Sequence, residues 1–224
     1  MKRTLLRKTI PSLAIWLGLV GATGAPAGDP PKGSVLEPLG NGPQYLVIEG
    51  DSNVKKWTAM GSEIHGRIEL AHPVPPGDLE TVPLNPTPAV RVSVPVSSLE
   101  GDGGRRMDRI MHEALDAGHH PEIVFVLHSL HRPQESPDTP VNGPSGSGPL
   151  ALEARGDLTV AGTTRTVLVH VRLSDAEHGL QIEGHADLRM TDFGIDPPTA
   201  LLGVLRSRDD VTVRFSWLVH EVSP

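Results

Sequence analysis

The chain contains no cysteine. Disulfides and thiolate metal centres are therefore excluded, and so is anchorage through a lipid-modified cysteine. Aromatic residues make up only 3% of the sequence, so any interior is built mainly from aliphatic side chains. Long apolar runs are missing too. The run near the start, Leu13 to Ala22, falls short of the roughly 20 residues that a membrane-spanning helix needs, and no longer one follows. Basic residues are outnumbered by acidic ones, 20 against 27, for a net charge of −7. Nucleic acid and anionic membrane surfaces are poor partners for such a chain. No glycine pattern resembles a phosphate-binding loop.

What the first residues do contain is an ordered layout. Lys2, Arg3, Arg7 and Lys8 precede the apolar run, and the small residues of "APA" offer a cleavage site between Ala27 and Gly28. This is the three-part arrangement of a secretory signal peptide, residues 1–27, and the expected location is periplasmic or secreted. Cleavage leaves 197 residues with 16 Lys and Arg against 27 Asp and Glu, enough for one domain with a real core and no remaining membrane span.

Three stretches are rich in proline. Residues 28–43 read as a disordered leader before a domain at 44–224. Two segments inside that domain, "HPVPPGDLETVPLNPTP" (72–88) and "RPQESPDTPVNGPSGSGP" (132–149), carry too many prolines for a central strand or helix and read as insertions.

Between these stretches the apolar period is two. Ile64, Gly66, Ile68 and Leu70 alternate with Glu63, His65, Arg67 and Glu69. Val90–Val96, Ile123–Leu127, Leu152–Val160, Val167–Leu173, Leu180–Met190 and Val211–Val219 alternate in the same way. Each reads as a strand with one solvated face, and "VAGTTR" (160–165) reads as a short hairpin connection. One segment differs. Met107, Ile110, Met111, Ala114 and Leu115 recur with helical spacing, and Gly118 offers a stop. The expected fold is all-β: an antiparallel barrel of about eight strands with one α-helix, closure removing both sheet edges.

Catalytic motifs do not survive inspection. "HEALD" (112–116) places Asp116 where a zinc-protease helix needs its second histidine. Ser145 and Ser147 miss the G-x-S-x-G spacing and lack a strand-to-helix elbow. "RGD" (155–157) begins a strand instead of capping a loop. The expectation is no catalytic residue, no metal and no cofactor.

That leaves the apolar faces. The candidate barrel lining is Ile64, Ile68, Val92, Val94, Phe125, Ala154, Leu158, Val169, Val171, Ile182, Ala186, Leu188, Phe215 and Trp217. Small residues on those faces, Gly66, Ala154, Gly156, Gly184 and Ala186, leave volume that few aromatics replace, so a ligand cavity and a packed core both stand. The "TDFGIDPPTALLG" segment (191–203) reads as a turn at Gly194 followed by a mouth or cap, with Phe193, Leu201 and Leu202 as its apolar residues.

The order of motifs resembles the YceI-like family of secreted lipid-binding barrels. "MDRIMHEALDAGHHPEIVFVL" resembles that family's helix and following strand. "LEARGDLTVAGTTRTVLVHVRL" resembles its next hairpin, and "LRMTDFGIDPPTALLGVLRSRDDVTVRFSWLV" its closing segment. The resemblance implies a lipocalin-like barrel, outside the cytoplasm and without catalysis, that holds a long amphiphile such as a polyisoprenoid. It leaves a homodimer open. A non-catalytic accessory module with a filled barrel is the alternative.

The exported protein is expected to begin at Gly28 or within a few residues of it. Intact-mass measurement of the exported species checks this; a full-length, membrane-retained form contradicts it.

Overall fold

A strand with one apolar face must bury it, and an antiparallel sheet can do so by curling closed on itself. The computed structural model describes residues 33–40, 44–74, 79, 82, 84–133, 148–200 and 204–222. In it the sheet closes into a barrel of eight strand rows.

The first three rows are each made of two strands end to end: β1 (Ser34–Pro38) with β2 (Tyr45–Ser52), β3 (Trp57–Gly61) with β4 (His65–Leu70), and β5 (Ala89–Pro95) with β6 (Leu99–Gly101). β7 (Glu122–His131), β8 (Leu150–Val160), β9 (Thr163–Ala176) and β10 (Gly179–Arg189) supply four more. After the two-residue β11 (Thr199–Ala200) comes β12 (Leu205–Val222), which closes the barrel. One edge of β12 pairs with β10. Its other edge pairs with β2 through Ser207–Ser216 and with β1 through Val219–Val222. Every pairing is antiparallel.

Ser34–Pro38 corrects the expectation of a disordered leader over 28–43. Composition argued for no order, but this stretch is hydrogen-bonded on both sides, to β4 and β12, and Leu36 is buried. Residues 72–88 also do more than a tolerated insertion would. Leu79 and Val82 are buried in the main core cluster, with Val74 and Leu84 packed against it. Isolated apolar residues among prolines have no period to read, yet a barrel end needs only a few such side chains to close. Of the second insertion, 134–147 lie outside the described residues.

The glycines overturn a volume argument. Gly66, Gly156 and Gly184 do not leave empty space: aromatic rings lie on them. A Cβ at Gly184 would stand 2.5 Å from Phe215 Cζ, one at Gly156 2.5 Å from Phe125 Cζ, and one at Gly66 2.5 Å from Trp217 Cη2. Gly50 is covered in the same way by Trp57.

The helix α1 (Arg105–Ala114) follows β6 and ends before Gly118. Asp116 takes the left-handed conformation, φ 52°, that glycine usually supplies there. The Asp116 N–H donates to the Glu113 carbonyl and the Ala117 N–H to the His112 carbonyl, the paired bonds of a Schellman ending. Aspartate tolerates that region better than most residues, which is why the helix stops earlier than periodicity suggests. His112 Nε2 donates to the Leu99 carbonyl at 2.9 Å and ties α1 to β6. The histidine of the "HEALD" motif is a structural clasp.

The β8–β9 hairpin turns on Ala161 and Gly162, with φ of 47° and 75°. Two positive φ values define the type I′ turn that matches strand twist. Glycine meets the requirement freely, whereas alanine does so against its Cβ. Ala161→Asn is expected to raise stability by about 0.5–1 kcal/mol, read as a higher midpoint in urea at unchanged slope. An unchanged or lower midpoint refutes the reading.

Candidate ligand cavity

Alternation along the strands decides what faces inward, and position along the barrel decides how tightly it packs. At the end where β1 begins and β12 finishes, inward side chains are buried. Leu36, Ile68, Leu70, Leu150, Leu152, Leu173, Leu180, Ile182 and Val219 form one cluster, closed over by Leu79 and Val82. Toward the other end, the inward Phe125, Leu158, Leu188, Val211, Val213 and Phe215 are only half-buried. They face a cavity of about 430 Å³ inside the barrel. That volume lies in the range of about 300–1,000 Å³ typical of small-molecule sites. Leu36, Ile68, Leu70, Leu152, Leu173, Leu180 and Ile182 of the buried cluster border the same cavity, so the barrel is tighter at one end and more open toward the other.

The open end is framed by three pieces. α1 turns Met107, Ile110, Met111, Ala114 and Leu115 toward the cavity. None of these is fully buried, so the face read from sequence as a docking stripe is also cavity wall. The 3-10 turn Met190–Phe193 and the residues after it contribute Met190, Phe193, Ile195 and Pro198. Phe193 and Ile195 are buried with Val160 against Ala114, Leu115, Ile123 and Leu188. The β2–β3 turn adds Ser52, Lys55 and Trp57, and Lys55 Nζ pairs with Asp102 Oδ2 at 3.1 Å. Charged residues of the lining, Lys55, Asp102 and Arg189, belong to this open end.

The turn that carries Phe193 is latched from outside. Asp209 of β12 accepts the Thr191 backbone N–H at 2.9 Å, the Thr191 hydroxyl at 2.7 Å and Arg189 Nε at 3.0 Å. The Thr191 N–H first, then its hydroxyl and the Arg189 guanidinium, hold the Asp209 carboxyl below the ordinary carboxylate range. Gly194 follows in the left-handed conformation, φ 73°, and β11 then pairs back onto Leu205 and Arg206.

Every lining residue expected from the sequence faces this cavity: Ile64, Ile68, Val92, Val94, Phe125, Ala154, Leu158, Val169, Val171, Ile182, Ala186, Leu188, Phe215 and Trp217. Ile64 does so from the connection before β4, not from within a strand. Phe193 stands at the mouth; Leu201 and Leu202 lie outside the described residues. Sequence reasoning missed Leu46 and Ile48 of β2, which also line the cavity. Their signal was the short apolar run Leu46–Val47–Ile48, which has no alternation to say which face points inward. Among the described residues, no helix is long and apolar enough to cross a membrane.

A closed antiparallel barrel with a hollow apolar interior, a helix over its mouth and an apolar turn beside it defines the lipocalin-like class of barrels. Within that class, the chain belongs to the YceI-like domain family, whose match runs over residues 45–218. No curated protein matches it. Several solved structures share the fold, among them these three. Burkholderia cenocepacia BcnA is 16% identical, with a TM-score of 0.52 over 80% of this chain and 96% of its own. A polyisoprenoid binding domain from Saccharophagus degradans, implicated in plant cell wall breakdown, is 10% identical, with a TM-score of 0.55 over 85% of this chain and 98% of its own. The Campylobacter jejuni YceI protein is 11% identical, with a TM-score of 0.50 over 74% of this chain and 85% of its own.

A carboxylate whose pKa is lower folded than unfolded contributes stability above its unfolded pKa and loses it as pH falls. The Asp209 contribution is therefore complete at neutral pH and declines below about pH 4. Asp209→Asn is expected to lower the melting temperature at pH 7 and to fall less far below the parent protein at pH 3. A gap of equal size at both pH values contradicts the ionised latch.

Proposed function

We propose that the protein binds one long apolar or amphiphilic molecule, such as a polyisoprenoid lipid, inside its barrel. We further propose that it carries or sequesters that molecule outside the cytoplasm, without catalysis. One observation carries this reading: inward side chains of several strands, among them Phe125, Leu158, Leu188, Val213 and Phe215, stay only half-buried around a cavity of about 430 Å³. A hydrocarbon chain entering that space removes apolar surface from water at about 25 cal/mol per Å². The shared fold with a domain described as polyisoprenoid-binding supports the ligand class. The signal-peptide layout of residues 1–27 supports the compartment. The absence of a nucleophile–base pair in the sequence supports a non-catalytic role.

A filled accessory barrel is the competing reading, and the packed end fits it. The half-buried face of Phe125, Leu158, Leu188, Val213 and Phe215 does not. Organic extraction of the purified protein followed by mass spectrometry separates the two. A stoichiometric prenyl or acyl lipid is expected; repeated empty preparations favour the accessory module.

Ala154 and Ala186 give a second test. Both line the cavity, from β8 and β10, within the cluster that touches Phe125, Leu127 and Phe215. In a filled core, enlarging either to Phe costs about 1–3 kcal/mol. In a hollow barrel the new ring takes the ligand's place. For at least one of the two variants, stability of the empty protein is expected to hold or rise while uptake of a fluorescent lipid falls. Destabilisation at both, with no lipid uptake by the parent protein, removes the carrier reading.

A further inference from the structure

The wall of the cavity is hydrocarbon along most of its length, which makes one polar atom conspicuous. Trp217 is 3% exposed, and its Nε1–H has no acceptor among the described residues. The alternation of β12 turns Trp217 inward with Val213 and Phe215, and all three line the cavity. Its six-membered ring lies against Gly66 of β4. A second such atom stands close by in register. Ser216 pairs with Tyr45, so the next step of the ladder brings Gln44 alongside Trp217. Gln44 Oε1 is likewise buried without a partner. Leu46 and Ile48, on the same face of the strand as Gln44, line the cavity.

An N–H shut into hydrocarbon without an acceptor is costly, and structures rarely leave one so. A single water between Trp217 Nε1–H and Gln44 Oε1 would have only these two partners, the least a buried water keeps, because Trp217 is otherwise flanked inside the barrel by Phe215, Ile182 and Val219. Resting on the binding reading above, we propose that Trp217 Nε1–H and Gln44 Oε1 form an internal anchor for an uncharged hydroxyl of the occupant, which accepts from the indole and donates to the amide oxygen. An ionised group does not fit there. The charged residues of the lining, Lys55, Asp102 and Arg189, are at the open end, so an ionised group next to Trp217 would lose its hydration without a counter-charge. The anchor selects hydroxyl-bearing amphiphiles over plain hydrocarbons and fixes which end of such a molecule lies deep.

The test uses the full chain stripped of lipid and two probes, geranylgeraniol and the hydrocarbon of the same carbon skeleton. The alcohol is expected to bind more tightly and to shift the Trp217 indole N–H resonance, which the hydrocarbon leaves in place. Trp217→Phe should weaken alcohol binding by about tenfold and leave hydrocarbon binding unchanged. Equal affinity for both probes, with the same response of the indole resonance, overturns the anchor and leaves apolar binding standing. Binding of neither overturns both. If the variant does not fold, the resonance of the parent protein decides alone.

Discussion

The hollow depends on where four aromatic rings lie. Trp217, Phe125, Phe215 and Trp57 rest on Gly66, Gly156, Gly184 and Gly50, each close enough that any Cβ would collide. A ring laid on a glycine fills the gap left in the wall instead of projecting across the lumen. Glycine in a strand is unfavourable for backbone entropy and packs nothing by itself, so the ring must supply the burial that the strand forgoes. The exchange keeps the interior apolar and leaves its axis free. With so few aromatics in the chain, four of the six Phe, Tyr and Trp rings among the described residues are committed to this arrangement.

The two ends of the barrel divide the remaining work. The packed end has the dense aliphatic cluster and is covered by Leu79 and Val82 from a proline-rich connection. Without cysteine, this cluster and the closed hydrogen-bond ladder must supply cohesion, since no covalent cross-link limits the unfolded chain. The open end is assembled from less regular pieces. β6 runs only Leu99–Gly101, and α1 follows it directly, held by the His112–Leu99 bond and by the Gly101 N–H donating to Asp108 Oδ1 at 2.7 Å. A helix thus lines the mouth where a longer third row would otherwise have continued the wall.

Much of this was legible in the sequence. Period-two alternation identified β4, β5, β7, β8, β9, β10 and β12, though not the short β6 and β11, and the inward residues it selected do share one cavity. Helical spacing at Met107, Ile110, Met111 and Leu115 found α1 and the face it turns inward. What escaped has a common cause. Ser34–Pro38 and Leu79–Val82 are too short or too broken by proline to show a period, and their order comes from partners distant in sequence. The glycines were misread for the same reason. An apolar face reports how much volume its own residues bring, but the ring that covers Gly66 belongs to a strand some 150 positions later.

Packing at one end and openness at the other also assigns different consequences to substitutions that look alike. Leu152 borders the cavity too, but at 2% exposed it is surrounded by the aliphatic cluster, so truncating it forfeits contacts on most sides. Leu188 is half-buried and already borders free space, so truncating it chiefly enlarges a cavity that exists. Stability therefore concentrates around the buried Leu36, Leu152, Leu173 and Val219, while half-buried lining residues such as Leu188 have more room to vary. A barrel divided in this way can change what it holds without losing the cluster that folds it. The constraint on such change is the ring–glycine seating, because a side chain added at Gly66, Gly156 or Gly184 pushes an aromatic ring off the wall and into the lumen.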